Sequence, residues 1–195
     1  MVNLPKTGFH KIAGNPAERI FWGRFAFEKC SAYLYFEKAA GVQQIMHYIK
    51  YRGGKEAAKM LGEWYGKDLL LTQGYSMPDL IVPVPLHAEK LKTRGYNQSE
   101  WFAKGLSLGM NIAVNTTSLV RYVNSETQTR KTRYKRWENV SEIFKIENAE
   151  LLKDKHILLV DDVVTTGATL EACAQTILAL NCGCKISIAT LAFAN

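Results

Sequence analysis

The chain lacks any apolar run near the roughly 20 residues needed to cross a bilayer, which argues against a transmembrane helix and membrane insertion. Its N-terminus lacks the basic, apolar and small-residue order of a signal peptide, so the expected location is the cytoplasm. Cysteine is sparse. Of Cys30, Cys173, Cys182 and Cys184, only the last two lie close together, and there is no Cys-x-x-Cys pair. Zinc sites usually bring two such pairs, or one with histidines, so four reduced thiols and no zinc are expected. There is no Gly-x-x-x-x-Gly-Lys-Ser/Thr phosphate loop and no Gly-x-Gly-x-x-Gly dinucleotide fingerprint. Internal repeats and low-complexity tracts are absent too.

What is present is an ordinary globular balance. The 195 residues are 47% hydrophobic and 22% charged, enough for one α/β domain with a substantial core. The net charge of +7 suggests anionic partners, with nucleic acid, nucleotide and pyrophosphate all qualifying beside a merely solvated basic surface.

Residues 1–16, with Pro5, Gly8, Gly14 and Pro16 and no period, read as an irregular lead-in, and 17–195 as a single domain. Ala32 to Phe36 suits a buried strand. Val42, Ile45, Met46 and Ile49 recur at helical spacing, as do Ala57, Met60, Leu61, Trp64 and Tyr65, with Gly53-Gly54 between the two helices. Leu80 to Val84 is strand-like until its prolines end the ladder. A loop should follow, then a helix near 98–109 opened by Asn97 and Glu100 as a capping box, then a strand near 112–120. Residues 121–139 hold six Lys or Arg against two Glu, which suits a long mobile arm or lid, with 140–146 as the returning strand. The stripe Leu170, Cys173, Ala174, Ile177 and Leu178 lies between the apolar run 157–160 and a strand at 185–193. This is a βαβ unit and implies a parallel sheet.

The chemistry concentrates at 157–169. An apolar strand runs into Asp161-Asp162, then Val163, Val164, Thr165, Thr166, Gly167, Ala168 and Thr169, then a helix. Ligands of open α/β sheets bind off the carboxyl ends of strands, and a loop entering a helix N-terminus aims N–H groups and partial positive charge at one point. A monophosphate fits that cup. Gly167 allows close approach or positive φ, and the three threonines add hydroxyl donors. The two carboxylates repel a phosphate. They suit acceptor work on ribose hydroxyls, or a shared Mg²⁺. Together, cup and carboxylates describe a phosphorylated ribose better than a bare phosphate.

This stretch resembles the signature of type I phosphoribosyltransferases. Val82-Pro83-Val84-Pro85-Leu86-His87 followed by Arg94-Gly95-Tyr96-Asn97-Gln98-Ser99 is similar to the central motif of the competence-associated ComF family. Arg121, Gln128, Arg136, Asn139 and Val140 resemble its next block, and Tyr48 to Gly53 its helix-end segment. The resemblance covers nearly all of 15–195. It implies a type I phosphoribosyltransferase-like fold: a mainly parallel sheet flanked by helices, with 121–139 as a flexible hood. It further implies that Asp161 and Asp162 contact the ribose of phosphoribosyl pyrophosphate (PRPP), that 163–169 hold its 5-phosphate, and that the turn at 83–87, with Pro85 and Leu86, lies near the pyrophosphate. Family members commonly carry a cysteine-rich zinc segment before the position of Asn15. This chain has none there, so zinc binding does not carry over.

Arg94, Arg121, Arg130, Lys131, Arg133, Lys135 and Arg136 are candidates for drawing anions to the cleft. Arg94 and Arg136 favour function by their place in the motif, whereas Arg130, Lys131 and Lys135 favour a solvated arm or a polyanion contact. Asn97 suits a helix cap, which leaves Gln98 as the better binding candidate. His87 is balanced between function and structure. Lys50 could reach a phosphate or snorkel, and His47, Trp64, Trp101 and Phe102 read as structural. Trp137 and Tyr134 in the arm are too few for a nucleic-acid stacking site. Two functions stay open. One is Mg²⁺-dependent phosphoribosyl transfer with pyrophosphate release. The other is a non-catalytic nucleotide-binding adaptor for DNA uptake that contacts single-stranded DNA, a helicase or a recombination mediator. A dimer is compatible with either, and the acceptor is not identifiable.

Overall fold

In the computed structural model of the protein, residues 4–36, 41–122 and 143–194 are described. The apolar run 157–160 is the centre of β5 (His156–Val164), which pairs in parallel with β6 (Lys185–Phe193) across α6 (Ala168–Leu178). On the far side of β6 lies β1 (Cys30–Tyr35), and on the far side of β5 lies β2 (Leu80–Pro83), both parallel, giving the order β1-β6-β5-β2. Side chains alternate along β5. Ile157 and Leu159 enter a core with α6 and α1 (Pro16–Phe21), while Leu158 and Val160 enter a second core. That second core is made with α2 (Gly41–Tyr51), α3 (Lys55–Leu70) and α5 (Gln98–Met110). Burial on both faces explains why the run is continuously apolar rather than alternating.

Helices α3 and α5 meet through glycines. A Cβ at Gly66 would lie 2.8 Å from the Leu106 carbonyl oxygen, and one at Gly105 would lie 2.8 Å from the Glu63 nitrogen. Backbone therefore packs on backbone, which fixes α5 and the residues at its first turn against the sheet.

Several elements differ from the sequence reading. The lead-in is irregular but docked: the Thr7 N–H donates to the Tyr33 carbonyl (2.9 Å), the Tyr35 N–H to that of Pro5 (2.9 Å), and the Phe9 ring is buried against Tyr35 and Phe193. It covers the outer edge of β1, an edge that would otherwise offer unpaired backbone groups. Asn15, 2% exposed, caps α1 by accepting from the N–H groups of Ala17 and Glu18, with Pro16 at the first helical position. The loop expected after β2 contains α4 (Ala88–Arg94), seven residues with none buried and so without an apolar stripe to betray it. His87 is its N-cap, accepting from the Glu89 N–H. The strand expected near 112–120 shrinks to β3 (Leu119–Arg121), with an isolated bridge from Val114 to Ile81. Its antiparallel partner is β4 (Phe144–Ile146). His47 and Trp64 point outward, not into the core. Among the described residues no helix is long and apolar enough to cross a membrane.

Candidate functional site

Strand β5 continues through the acidic pair. Asp161 faces Thr190, Val163 faces Ala192 and Val164 faces Phe193 in register with β6, so the carboxylates stand on a hydrogen-bonded strand, not in the loop the sequence suggested. Asp161 Oδ1 accepts from Ser99 Oγ (2.8 Å) and from the Asp162 N–H (2.8 Å). Ser99 is in the first turn of α5 and buried. Burial pushes the Asp161 carboxyl up to about 7, and the neighbouring charge of Asp162 adds to this, while the Ser99 and Asp162 hydrogen bonds and the Lys50 ammonium oppose it. Lys50, near the end of α2, places Nζ 3.2 Å from Asp162 Oδ2.

Beyond Val164 the chain turns at Gly167, whose φ of 76° and ψ of 0° are left-handed. A Cβ there would lie 2.6 Å from Phe21 Cε1 and 2.7 Å from Ile20 Cγ2, so α1 forms the floor beneath the turn. Arg24 donates to the Thr166 carbonyl (2.9 Å) and pairs with Glu171 of α6 (3.2 Å). In a trans peptide the C=O and N–H point in opposite directions, so this bond fixes which way the Gly167 N–H faces. Among the described residues no side chain caps the start of α6, which leaves first-turn N–H groups for a ligand. Asp161 and residues 163–170 line a recess of about 250 Å³.

A second recess, of about 630 Å³, adjoins the first and shares Asp161 and Thr169 with it. Four cationic side chains line it, Lys50, Lys90, Arg94 and Arg121, together with Pro85, Leu86, Asn97, Gln98, Ser99 and Asp162. Of the expected contacts, Pro85, Leu86, Arg94 and Arg121 thus come together with the carboxylates. Asn97 caps α5 through the Ser99 N–H and also donates to the Val84 carbonyl (3.0 Å), pinning the turn after β2. Its expected capping-box partner, Glu100, pairs instead with Lys104. Gln98, 2% exposed, has its amide engaged: Oε1 accepts from Arg94 (3.0 Å) and Nε2 donates to the Tyr96 carbonyl. It holds Arg94 in place where a free binding group was expected. Gln128 and Arg136 lie outside the described residues, as do Arg130, Lys131, Arg133, Tyr134, Lys135, Trp137 and the span 123–139 of the expected hood.

Lys90 and Arg24 had no place in the expected site, Ser99 entered it only as the end of the 94–99 motif, and Lys50 was balanced between reaching a phosphate and snorkelling. Lys50 carried one usable signal, its place at the end of an amphipathic helix. Lys90 and Arg24 have no periodicity or motif of their own that points to a carboxylate or a loop.

Two adjacent carboxylates suit Mg²⁺. That ion commonly takes one or two carboxylates, keeps several waters and completes its shell with ligand phosphates. Among the described residues no three His, Cys, Asp or Glu side chains cluster to form an all-protein cage. Cys182 and Cys184 are free thiols whose sulfurs lie 3.0 Å apart, away from the two recesses.

Residues 97–195 match the phosphoribosyl transferase domain family. Over 137 residues the chain is 30% identical to the DNA utilization protein YhgH of Salmonella typhimurium, an alignment covering 69% of this chain and 60% of that protein. It is also 30% identical to Competence protein ComFC of Bacillus subtilis over 154 residues, covering 77% of this chain and 59% of the relative. Identity to Competence protein F of Haemophilus influenzae is 30% over 106 residues, covering 54% and 46%. The chain therefore spans about 60% of the length of the first of these relatives.

Proposed function

Since the chain belongs to the phosphoribosyl transferase domain family, in its ComF branch, we propose that its paired recesses bind PRPP with Mg²⁺ and support phosphoribosyl transfer. One observation carries this reading. The two recesses meet at Asp161 and Thr169, one offering loop and helix N–H groups, the other four cations. A ligand with a monophosphate at one end, a diol in the middle and a diphosphate at the other matches that order of donors, acceptors and cations.

In this reading the 163–169 loop takes the 5-phosphate and Asp161 and Asp162 accept from the ribose hydroxyls. Lys90, Arg94 and Arg121, beside the Pro85–Leu86 turn, offset charge on the diphosphate as the C1–O bond breaks and a nucleophile adds at C1. Mg²⁺ at the carboxylate pair would supply further neutralisation of the leaving group. The chain's part is positioning and charge stabilisation, so no Ser-His-Asp set is needed. Calorimetry with PRPP and Mg²⁺ tests the reading. Wild-type protein should bind and the Asp161→Asn/Asp162→Asn variant should not; equal binding by both would refute the roles given to the pair. Pyrophosphate release from PRPP with an offered nucleophile tests turnover separately.

The relatives' names favour a second reading for the whole protein, a role in handling incoming DNA. There the PRPP site would regulate or anchor an adaptor, and the cationic recess and arm would meet single-stranded DNA or a DNA-uptake helicase. Salt-dependent DNA binding lost on neutralising Arg130, Lys131 and Lys135, with PRPP binding intact, would support it.

A further inference from the structure

Lys50 stands where a metal would have to arrive. Its Nζ is 3.2 Å from Asp162 Oδ2, and the two side chains are only 23% and 13% exposed. A divalent cation reaching Asp162 would meet an ammonium already in contact with that carboxylate, and like charges at such range repel strongly.

The root of Lys50 is fixed while its tip is not. Ile49 beside it is fully buried, and the Ile49 carbonyl accepts the Tyr96 hydroxyl. The turn that follows is tied back by the Gly54 N–H to the Tyr48 carbonyl (3.2 Å). From this anchored backbone a flexible four-carbon stem carries the charge. The recess that Lys50 lines also holds Lys90, Arg94 and Arg121 around the Pro85–Leu86 turn. An ammonium leaving Asp162 therefore has an anion site within the same recess, provided an anion is there.

Resting on the phosphoribosyl reading of the cleft, we propose that Lys50 is a resident counter-cation of the carboxylate pair, which a divalent metal displaces from Asp162 and which then serves the diphosphate end of the ligand. Metal and diphosphate binding are then positively coupled through one side chain. Metal alone must break the ion pair without recompense, whereas metal with diphosphate gives the displaced ammonium a new partner. By reciprocity the diphosphate gains from the metal by the same factor.

The test uses the full chain with Mn²⁺ as a paramagnetic stand-in for Mg²⁺, and inorganic pyrophosphate and ribose 5-phosphate as separate probes. Lys50→Met should tighten Mn²⁺ binding, measured without other ligands by electron paramagnetic resonance, by roughly five- to tenfold, the scale of one partly buried ion pair. The same change should weaken pyrophosphate binding to the Mn²⁺-saturated protein by a similar factor. Lys50→Arg should stay near wild type in both. A circular dichroism spectrum and a urea midpoint close to wild type report an intact fold in Lys50→Met; Lys50→Gln replaces a variant that fails this control. Unchanged or weaker Mn²⁺ binding in a folded Lys50 variant overturns the counter-cation role and leaves the cleft reading standing. Failure of wild-type protein to bind ribose 5-phosphate overturns the cleft reading itself, and the Lys50 role with it.

Discussion

Replacing Gly167 by alanine adds a single methyl group and should cost far more than its size suggests. Two effects add. The residue sits at φ 76°, where an L side chain costs about 1–2 kcal/mol. The new Cβ would also lie 2.6 Å from Phe21 Cε1 and 2.8 Å from its Cζ, and Phe21 is fully buried, so overpacking adds about 1–3 kcal/mol. Gly74 isolates the first effect. It has nearly the same φ, 73°, but nothing within 4 Å of its would-be Cβ. Gly74→Ala should therefore lose only the conformational part, and Gly167→Ala about 1–3 kcal/mol more. Urea unfolding at equal m-value reads the difference directly as midpoints. Calorimetry with ribose 5-phosphate should show Gly167→Ala binding more weakly and Gly74→Ala unchanged. If the two variants lose the same stability, Phe21 does not form the floor of the turn and the packing argument is wrong.

Asp161 gives a pH prediction for the ligand-free protein. Its carboxyl titrates at about 7 when folded against an unfolded value near 3.8, so the folded state holds the extra proton between them. The stability it contributes is full below the unfolded value and is lost as pH rises through 7, with a slope of at most about 1.4 kcal/mol per pH unit. Asp161→Asn should flatten that slope in urea titrations at pH 5 to 8; an unchanged slope would show that another group carries it. Arg24→Ala should reduce stability by under about 1 kcal/mol, since its side chain is 39% exposed, yet weaken ribose 5-phosphate binding several-fold by freeing the Thr166 peptide. Calorimetric affinity equal to wild type would remove Arg24 from the site. Gly105→Ala should push α5 off α3 and lower the unfolding midpoint by the equivalent of about 1–3 kcal/mol or more.

The β5–α6–β6 unit was legible because two independent signals agree there: a run apolar on both faces and a stripe at helical spacing. The acidic pair and the glycine turn were legible by their order along the chain. What stayed hidden has physical reasons. Helix α4 buries nothing, so no period marks it. β5 extends over Asp161 and Asp162 because β6 supplies the ladder, against the poor strand propensity of aspartate. Trp64 reads as core by spacing, but α3 already fills its buried face with Leu61, Tyr65 and the glycines that meet α5. Ser99 and Arg24 act across 62 and 142 positions of sequence, a reach no local pattern encodes.

The floor beneath the proposed phosphate cup also has a dynamic consequence. Ile20, Phe21 and Arg24 belong to the segment around α1, yet they set the shape of a loop far along the chain. Whatever orders that loop must therefore also order α1. A phosphate in the cup should slow amide hydrogen exchange in α1, a helix the ligand never touches, and fraying of α1 should speed ligand escape. In the proposed site the chain's early residues would act as a dial on residence time: substitutions that loosen α1 would raise the off-rate without altering a single atom that contacts the ligand.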